Sequence, residues 1–264
     1  MSDSENPYTL AVANQKGGVG KTTTVINLGT ALTAIGRKVL LIDLDPQGNA
    51  STGLGVGREK RNRTSYDVIM GLADLKDTAV ETTVPGMDII PGSVDLSSAD
   101  VELIADRDRM LRLKRAIADS GNIYDYILVD CPPSLNLLTL NALVAANSVL
   151  VPLQCEFFAL EGLSQLLQTI REVRKSLNSK LNIQGIVLTM YDKRNNLSEH
   201  VANDVRETLG ALVYDTIIPR NVRLSEAPSF ALPALIYDST SSGSVAYQKL
   251  AAELLRKIED PIAA

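Results

Sequence analysis

The chain has little with which to build a redox or zinc centre. Two cysteines, Cys131 and Cys155, and one histidine, His200, stand among 264 residues. Two thiols are too few for a disulfide framework or a four-thiolate site within one chain, and reduced thiols are the expectation. One histidine excludes His-dependent triads and multi-histidine metal sites, and His200 reads as a surface helix residue. Positive charge is also in deficit: the net charge is -5 and the pI about 5.1. No global basic field attracts nucleic acid, so any such contact needs a local patch. The longest apolar stretch, Ala142 to Leu153, is broken by Asn147, Ser148 and Pro152 and is too short to span a bilayer. Met1 to Pro7 is polar and acidic, unlike a signal peptide. No low-complexity linker or internal repeat divides the chain. The expectation is a soluble, cytoplasmic protein whose residues 1–264 form one domain with an ample core, at 45% hydrophobic content.

What is present is Asn14-Gln15-Lys16-Gly17-Gly18-Val19-Gly20-Lys21-Thr22-Thr23. An apolar run, Leu10 to Ala13, precedes it, and a helical pattern with Val25, Leu28, Leu32 and Ile35 follows over Thr22–Ile35. Strand, glycine loop and helix form the context of a phosphate-binding loop. Its glycines let backbone amides curl around an anion, and the helix N-terminus adds free amides and a positive dipole end. Lys21 is placed to reach the terminal phosphates and Thr22 to hold Mg²⁺. The strict motif wants glycine where Gln15 stands, and a second lysine, Lys16, heads the loop.

Strands and helices alternate along the rest. Val39-Leu40-Leu41-Ile42 and Tyr126-Ile127-Leu128-Val129 are continuous apolar runs, as in buried parallel strands. Strands are also expected at Thr9–Ala13, Met87–Ile90, Ser148–Leu153, Ile183–Met190 and Val213–Ile218. Helices are expected at Ser65–Leu72, Leu96–Ile104, Arg107–Asp119, Leu137–Ala146, Leu160–Leu177, Leu197–Leu209 and Gly243–Ile258, with Gly36 as a helix C-cap. Residues 50–63 read as a loop or switch-like segment, and 219–228 as turn-rich. The fold class is α/β and P-loop NTPase-like, a mostly parallel central sheet with helices on both faces.

Asp43 and Asp45 end one strand and Asp130 another. Ligands in open α/β sheets bind beyond the carboxyl ends of the strands, so all three carboxylates are expected beside the loop, where Mg²⁺ and an attacking water belong. Phosphoryl transfer to water needs charge neutralisation and an oriented water more than covalent chemistry. The alternative for Asp43 is a strand-end aspartate that caps the following turn.

These residues resemble a family. Lys16 to Thr22 is similar to the deviant Walker A motif, Asp43 to Asn49 to its companion, and Ile127 to Pro133 to a Walker B-like strand. The chain resembles the ParA/Soj chromosome- and plasmid-partitioning ATPases, within the group that includes MinD. The likeness continues through residues 154–162 and 218–228. It implies ATP and Mg²⁺ as ligands, with residues 16–23 binding the nucleotide: Lys16, Gly17, Gly18, Val19, Gly20, Lys21, Thr22 and Thr23. Lys16 would cross a dimer interface to the partner's phosphates, Lys21 would bind β/γ-phosphates in its own subunit, and Thr22 would ligate Mg²⁺. Asp45 would position the attacking water, with Asp43 and Asp130 supporting the metal through water. Pro219 and Asn221 would pack near adenine, and Gly17 would lie where the partner approaches.

The resemblance further implies an ATP-driven homodimer that binds double-stranded DNA non-specifically through Arg194, Arg223 and their neighbours Lys193 and Arg220. A ParB-type centromere-binding protein would stimulate hydrolysis, and the location would be cytoplasmic and nucleoid-associated. The loop begins 16 residues in, as in the short, Soj-like type. Solvated loop charge is the alternative for the DNA residues. It is also the reading for Arg58, Lys60, Arg61 and Arg63, while Arg171, Arg174 and Lys175 read as an exposed helix face. A MinD-like membrane-cycling ATPase needs an amphipathic, basic C-terminal helix, and residues 254–264 are short, mixed in charge and broken by Pro261. An iron–sulfur ATPase needs two cluster cysteines, and Cys131 instead sits in Asp-Cys-Pro-Pro.

Overall fold

The computed structural model of the chain describes residues 6–156 and 159–259, with backbone alone for 159–161. Expectations resting on residues 1–5, 157–158 and 260–264, Pro261 included, lie outside the described residues. In chain order the elements are β1 (Tyr8–Val12), α1 (Lys21–Ala34), β2 (Val39–Asp43), α2 (Asn49–Gly53), α3 (Ser65–Met70), α4 (Leu75–Thr78), β3 (Val80–Glu81), β4 (Met87–Ile90), α5 (Ala99–Glu102), α6 (Arg112–Asp119), β5 (Tyr126–Asp130), α7 (Leu137–Ala145), β6 (Ser148–Gln154), α8 (Ala159–Ser176), β7 (Asn182–Thr189), α9 (Asn196–Leu209), α10 (Val222–Glu226), α11 (Ala234–Tyr237) and α12 (Ser242–Glu259).

The strands form one seven-stranded sheet in the order β3-β4-β2-β5-β1-β6-β7. All pairings are parallel except that of the two-residue edge strand β3 with β4. The strand period of two divides each apolar run between two cores. Leu40, Ile42, Ile127 and Val129 join Ala11 and Ala13 on the face covered by α3, α6, α7, α8 and α9. Val39, Leu41 and Leu128 join Leu10 and Val12 on the face covered by α1 and α12. Both faces being dry is what makes these runs continuous rather than alternating. On the second face Thr24 Oγ1 and Tyr247 OH meet at 3.2 Å and tie α1 to α12.

Several sequence-based boundaries change. Residues 50–63 are not all loop: α2 and a 3₁₀ turn at Arg58–Lys60 lie there. The expected helices at 96–104 and 107–119 each begin as a 3₁₀ turn, leaving four and eight α-helical residues. Gly36, at φ 83°, does follow the end of α1 as expected.

Residues 213–218 are not a sheet strand. Beside β7 they form one isolated bridge, Ile186 to Val213, and the Tyr214 and Ile218 amides donate to Ile186 O at 2.9 Å and Leu188 O at 2.8 Å. The cause is a buried carboxylate. Glu253 of α12 accepts from the Asp215 amide at 2.8 Å and the Thr216 amide at 2.9 Å, so these donors never reach a neighbouring strand. Glu253→Ala should leave both amides without that acceptor and destabilise the fold by about 1–3 kcal/mol. Urea denaturation reads the loss, and Glu253→Gln, which keeps a carbonyl acceptor, should recover part of it.

Candidate functional site

β1 lies where the strand order turns back: the chain moves from it to β2 on one side and later to β6 on the other. The crevice at such a switch point is where doubly wound sheets bind ligands, and residues 13–20 fill its mouth. Gly18 and Gly20 have φ values of 76° and 89°, a left-handed region open to glycine at little cost. Gly20 is the N-cap of the fourteen-residue α1, and no side chain caps that helix. Its first amides are therefore left for an anion.

Neighbouring strands hold the loop. Asn14 donates through Nδ2 to Pro152 O at 2.7 Å and accepts from the Lys16 amide at 3.0 Å. Thr189, at the end of β7, donates from Oγ1 to Val19 O at 2.9 Å. Met190, the next residue, has a φ of 51°, a strained setting for a residue with a side chain. The holding roles of Asn14 and Thr189 are not legible in the sequence, because they depend on strand neighbours remote in the chain.

Lys21 is buried, and its Nζ donates to Lys16 O at 3.0 Å. Burial lowers its pKa, opposed by the charge of Asp130. Thr22 Oγ1 donates to Asp130 Oδ2 at 2.7 Å. Asp130 is fully buried, and its Oδ1 has no hydrogen-bond partner among the described residues. Desolvation, followed by the nearby Asp43 charge, pushes the Asp130 carboxyl well above the usual range. An orphaned carboxylate oxygen beside a threonine hydroxyl and an uncapped helix start is a good fit for Mg²⁺, which takes few protein ligands and completes its shell with water and phosphate.

Asp43 is different. Its Oδ2 accepts from the Ser51 amide at 2.9 Å and Ser51 Oγ at 2.6 Å, and its Oδ1 accepts from the Asp45 amide at 3.2 Å. Burial still pushes it up to about 6, against the pull of these bonds. Asp43 thus caps the turn that carries Asp45, with two bonds on Oδ2 and one on Oδ1. Asp45 itself accepts from the Gln47 amide at 2.9 Å.

Lys16 does not project from its own chain. Its Nζ pairs with Glu156, just past β6. Both side chains are close to half exposed, 40% and 46%, so the pair is worth about 0–1 kcal/mol and opens readily. A Cβ on Gly17 would come no nearer than 4.0 Å to Pro133 Cβ, so packing within the chain does not require glycine there.

Pro219 lines a groove of about 1030 Å³ between the end of β7 and α12, together with Lys193, Arg194, Arg220, Lys249 and Arg256. The sequence reading missed Lys249 and Arg256, which arrive from a helix near the C-terminus. Lys193, Arg220, Lys249 and Arg256 are exposed and form no ion pair among the described residues. Arg194 is held by Asp192 at 2.9 Å. Arg223 is not part of the groove lining: it pairs with Glu226 at 2.8 Å and Asp238 at 3.3 Å. Asn221 is the N-cap of α10, accepting from the Arg223 and Leu224 amides, and donates to Ser242 Oγ at 2.8 Å.

The remaining candidates fall as expected. His200, Arg171, Arg174 and Lys175 are exposed on helices. Cys131 and Cys155 are buried free thiols, and burial raises both, Cys155 to about 11. No helix among the described residues is long and apolar enough to cross a membrane.

A family model described as an AAA domain matches residues 8–183. The chromosome partitioning protein ParA of Caulobacter vibrioides is 60% identical over 260 residues, covering 97% of this chain and 97% of its own. The sporulation initiation inhibitor protein Soj of Bacillus subtilis is 51% identical over 245 residues, covering 93% and 97%. Among solved structures, cobyrinic acid a,c-diamide synthase from Mycobacterium smegmatis with bound ADP and magnesium matches with a TM-score of 0.85 at 40% identity, over 97% of this chain and 96% of its own.

Ser51 joins the site to its scaffold, since Oγ also accepts from the Gly92 amide at 3.0 Å. Ser51→Ala should strand that buried amide and cost about 1–3 kcal/mol, read as a lowered unfolding midpoint. The Ser51 backbone amide still reaches Asp43, so Asp43→Ala should be the more damaging of the two.

Proposed function

The chain belongs to the ParA/Soj family of chromosome-partitioning ATPases, and we propose that it is an ATP-gated DNA-partitioning switch. In this reading residues 1–264 act as one ATPase domain. ATP binding closes two copies face to face, the dimer holds DNA without sequence preference, and hydrolysis resets it. The observation that carries the nucleotide site is the unpartnered Asp130 oxygen beside the Thr22 hydroxyl, at the foot of a helix whose amides no side chain caps.

Each residue then has a physical task. The amides of residues 17–23 cradle the phosphates. Lys21 exchanges its bond to Lys16 O for phosphate oxygens, which restores the solvation that burial removed. Thr22 and Asp130 hold Mg²⁺, whose charge offsets that of the phosphates. Asp45 orients the attacking water, on a turn fixed by Asp43. Lys16 leaves Glu156 and enters the partner's site, adding a cation where negative charge lies. Gly17 stays bare because the partner approaches there. Pro219 flanks the adenine, and Asn221 holds the segment beside it.

DNA is proposed along the groove of Lys193, Arg194, Arg220, Lys249 and Arg256. Phosphate contact and counterion release dominate such binding, and two-fold symmetry doubles a patch that is small on an acidic chain. Arg223, compensated by two carboxylates, contributes only if those pairs rearrange. A ParB-type centromere-binding protein is the proposed activator, and the proposed location is cytoplasmic, on the nucleoid.

Two measurements test the reading. Asp45→Ala should retain ATP and double its light-scattering mass when ATP is added, whereas Gly17→Val should fold and remain monomeric. A monomeric Asp45→Ala protein with ATP demonstrably bound would end the dimer proposal. In the Asp45→Ala background, Lys249→Glu should preserve the dimer, weaken DNA binding and flatten the salt dependence by about one per lost phosphate contact. Unchanged affinity and slope would remove α12 from the DNA surface.

A further inference from the structure

Four basic residues follow the Asp45 turn, and one of them faces inward. Arg58, Lys60 and Arg63 are exposed, and Arg63 pairs with Asp77, at 3.6 Å across the surface. The 3₁₀ turn at Arg58–Lys60 instead directs Arg61 back under the loop. Its Nε and Nη2 donate to Val56 O at 3.1 and 2.9 Å, Nη2 also to Thr52 Oγ1 at 2.8 Å and Gly48 O at 3.3 Å, and Nη1 to Gly92 O at 3.1 Å. One guanidinium thus bridges the segment after β2 and the segment after β4. The solvated-loop reading of Arg61 is overturned.

These bonds close a ring. Arg61 donates to Gly92 O, the Gly92 amide to Ser51 Oγ, and Ser51 Oγ to Asp43 Oδ2. Asp43 Oδ1 accepts from the Asp45 amide. Asp45 O accepts from the Gly48 amide at 2.9 Å, and Gly48 O returns to Arg61. The ring encircles the turn 45–48. Within it, a Cβ on Gly92 would lie 2.9 Å from Asp45 O and 3.0 Å from Asp43 Cγ, so the backbone that Arg61 holds is packed directly against the Asp45 peptide. Gly48 has a φ of 62° and leaves room where a side chain would strike the guanidinium.

We propose that Arg61 is a positioning residue for ATP hydrolysis: it fixes the backbone of the Asp45 turn and so sets where the Asp45 carboxylate holds water. This rests on the proposed role of Asp45. The guanidinium meets these four acceptors from three nitrogens in a fixed fork, whereas a lysine offers three donors on one nitrogen and cannot reproduce that set. The substitution Arg61→Lys keeps the charge and breaks the bridge.

Single-turnover hydrolysis, fluorescent-nucleotide affinity, ATP-dependent dimer mass and unfolding midpoint should be measured on the full chain with Mg²⁺ and DNA. For Arg61→Lys the expected result is hydrolysis slowed by about 10–100-fold, with nucleotide affinity within about twofold and the dimer retained. Arg61→Ala should behave alike, and methylguanidinium should restore part of its rate where methylammonium does not. Gly48→Ala, which displaces the guanidinium without removing it, should slow hydrolysis in the same sense. Wild-type hydrolysis by Arg61→Lys, beside an inactive Asp45→Ala control, overturns the positioning role. So does a parallel loss of affinity, dimer and unfolding midpoint in Arg61→Lys, which marks a purely structural brace. If Arg61→Ala does not fold, Arg61→Lys decides alone. Wild-type hydrolysis by Asp45→Ala would instead remove the role of Asp45 itself, so the two failures are told apart.

Discussion

Three carboxylates, Asp43, Asp45 and Asp130, are buried at the carboxyl edge of one sheet, and the surroundings of the site answer that concentration of charge. Burial disfavours the ionised forms of Asp43 and Asp130, and the neighbouring carboxylate charge adds to it. Asp43 is satisfied by donors from its own chain; Asp130 is satisfied on one oxygen only. Lys21 and the start of α1 bring positive potential to the same place. A cation arriving with an anionic ligand would meet the Asp130 oxygen that is unpartnered among the described residues.

The same economy separates residues that look alike in the sequence. Asp43 and Asp45 are two apart, yet one braces a turn and the other rides on it. Arg61 and Arg63 are two apart, yet one is a brace and the other a surface charge. In each pair the difference is set by whether the side chain faces the packed edge of the sheet, which the intervening backbone decides.

Much of the fold was legible. Val39 to Ile42 and Tyr126 to Val129 announce buried parallel strands, and the glycines before Lys21 announce the loop, because both signals are local. What failed was long-range. Residues 213–218 have strand-like composition, but Glu253, 37 positions away from Thr216, takes the Asp215 and Thr216 amides. The Lys16 to Glu156 pair joins positions 140 apart, and nothing near either residue marks it. The groove needed Lys249 and Arg256, which spacing alone could not bring to Lys193. The candidate site was legible as a list of residues more than as an assembly: the phosphate loop, Asp45 and Asp130 follow from pattern, whereas the supports of Asp45 follow only from packing.

The end of β7 serves two surfaces. Thr189 carries the phosphate loop through Val19, and Lys193, four residues later, stands on the basic groove. Four extended residues reach no more than about 14 Å, and Met190 among them is already held in a strained conformation. The support of the phosphate loop and the rim of the groove therefore belong to one short stretch of chain, with only residues 190–192 between them.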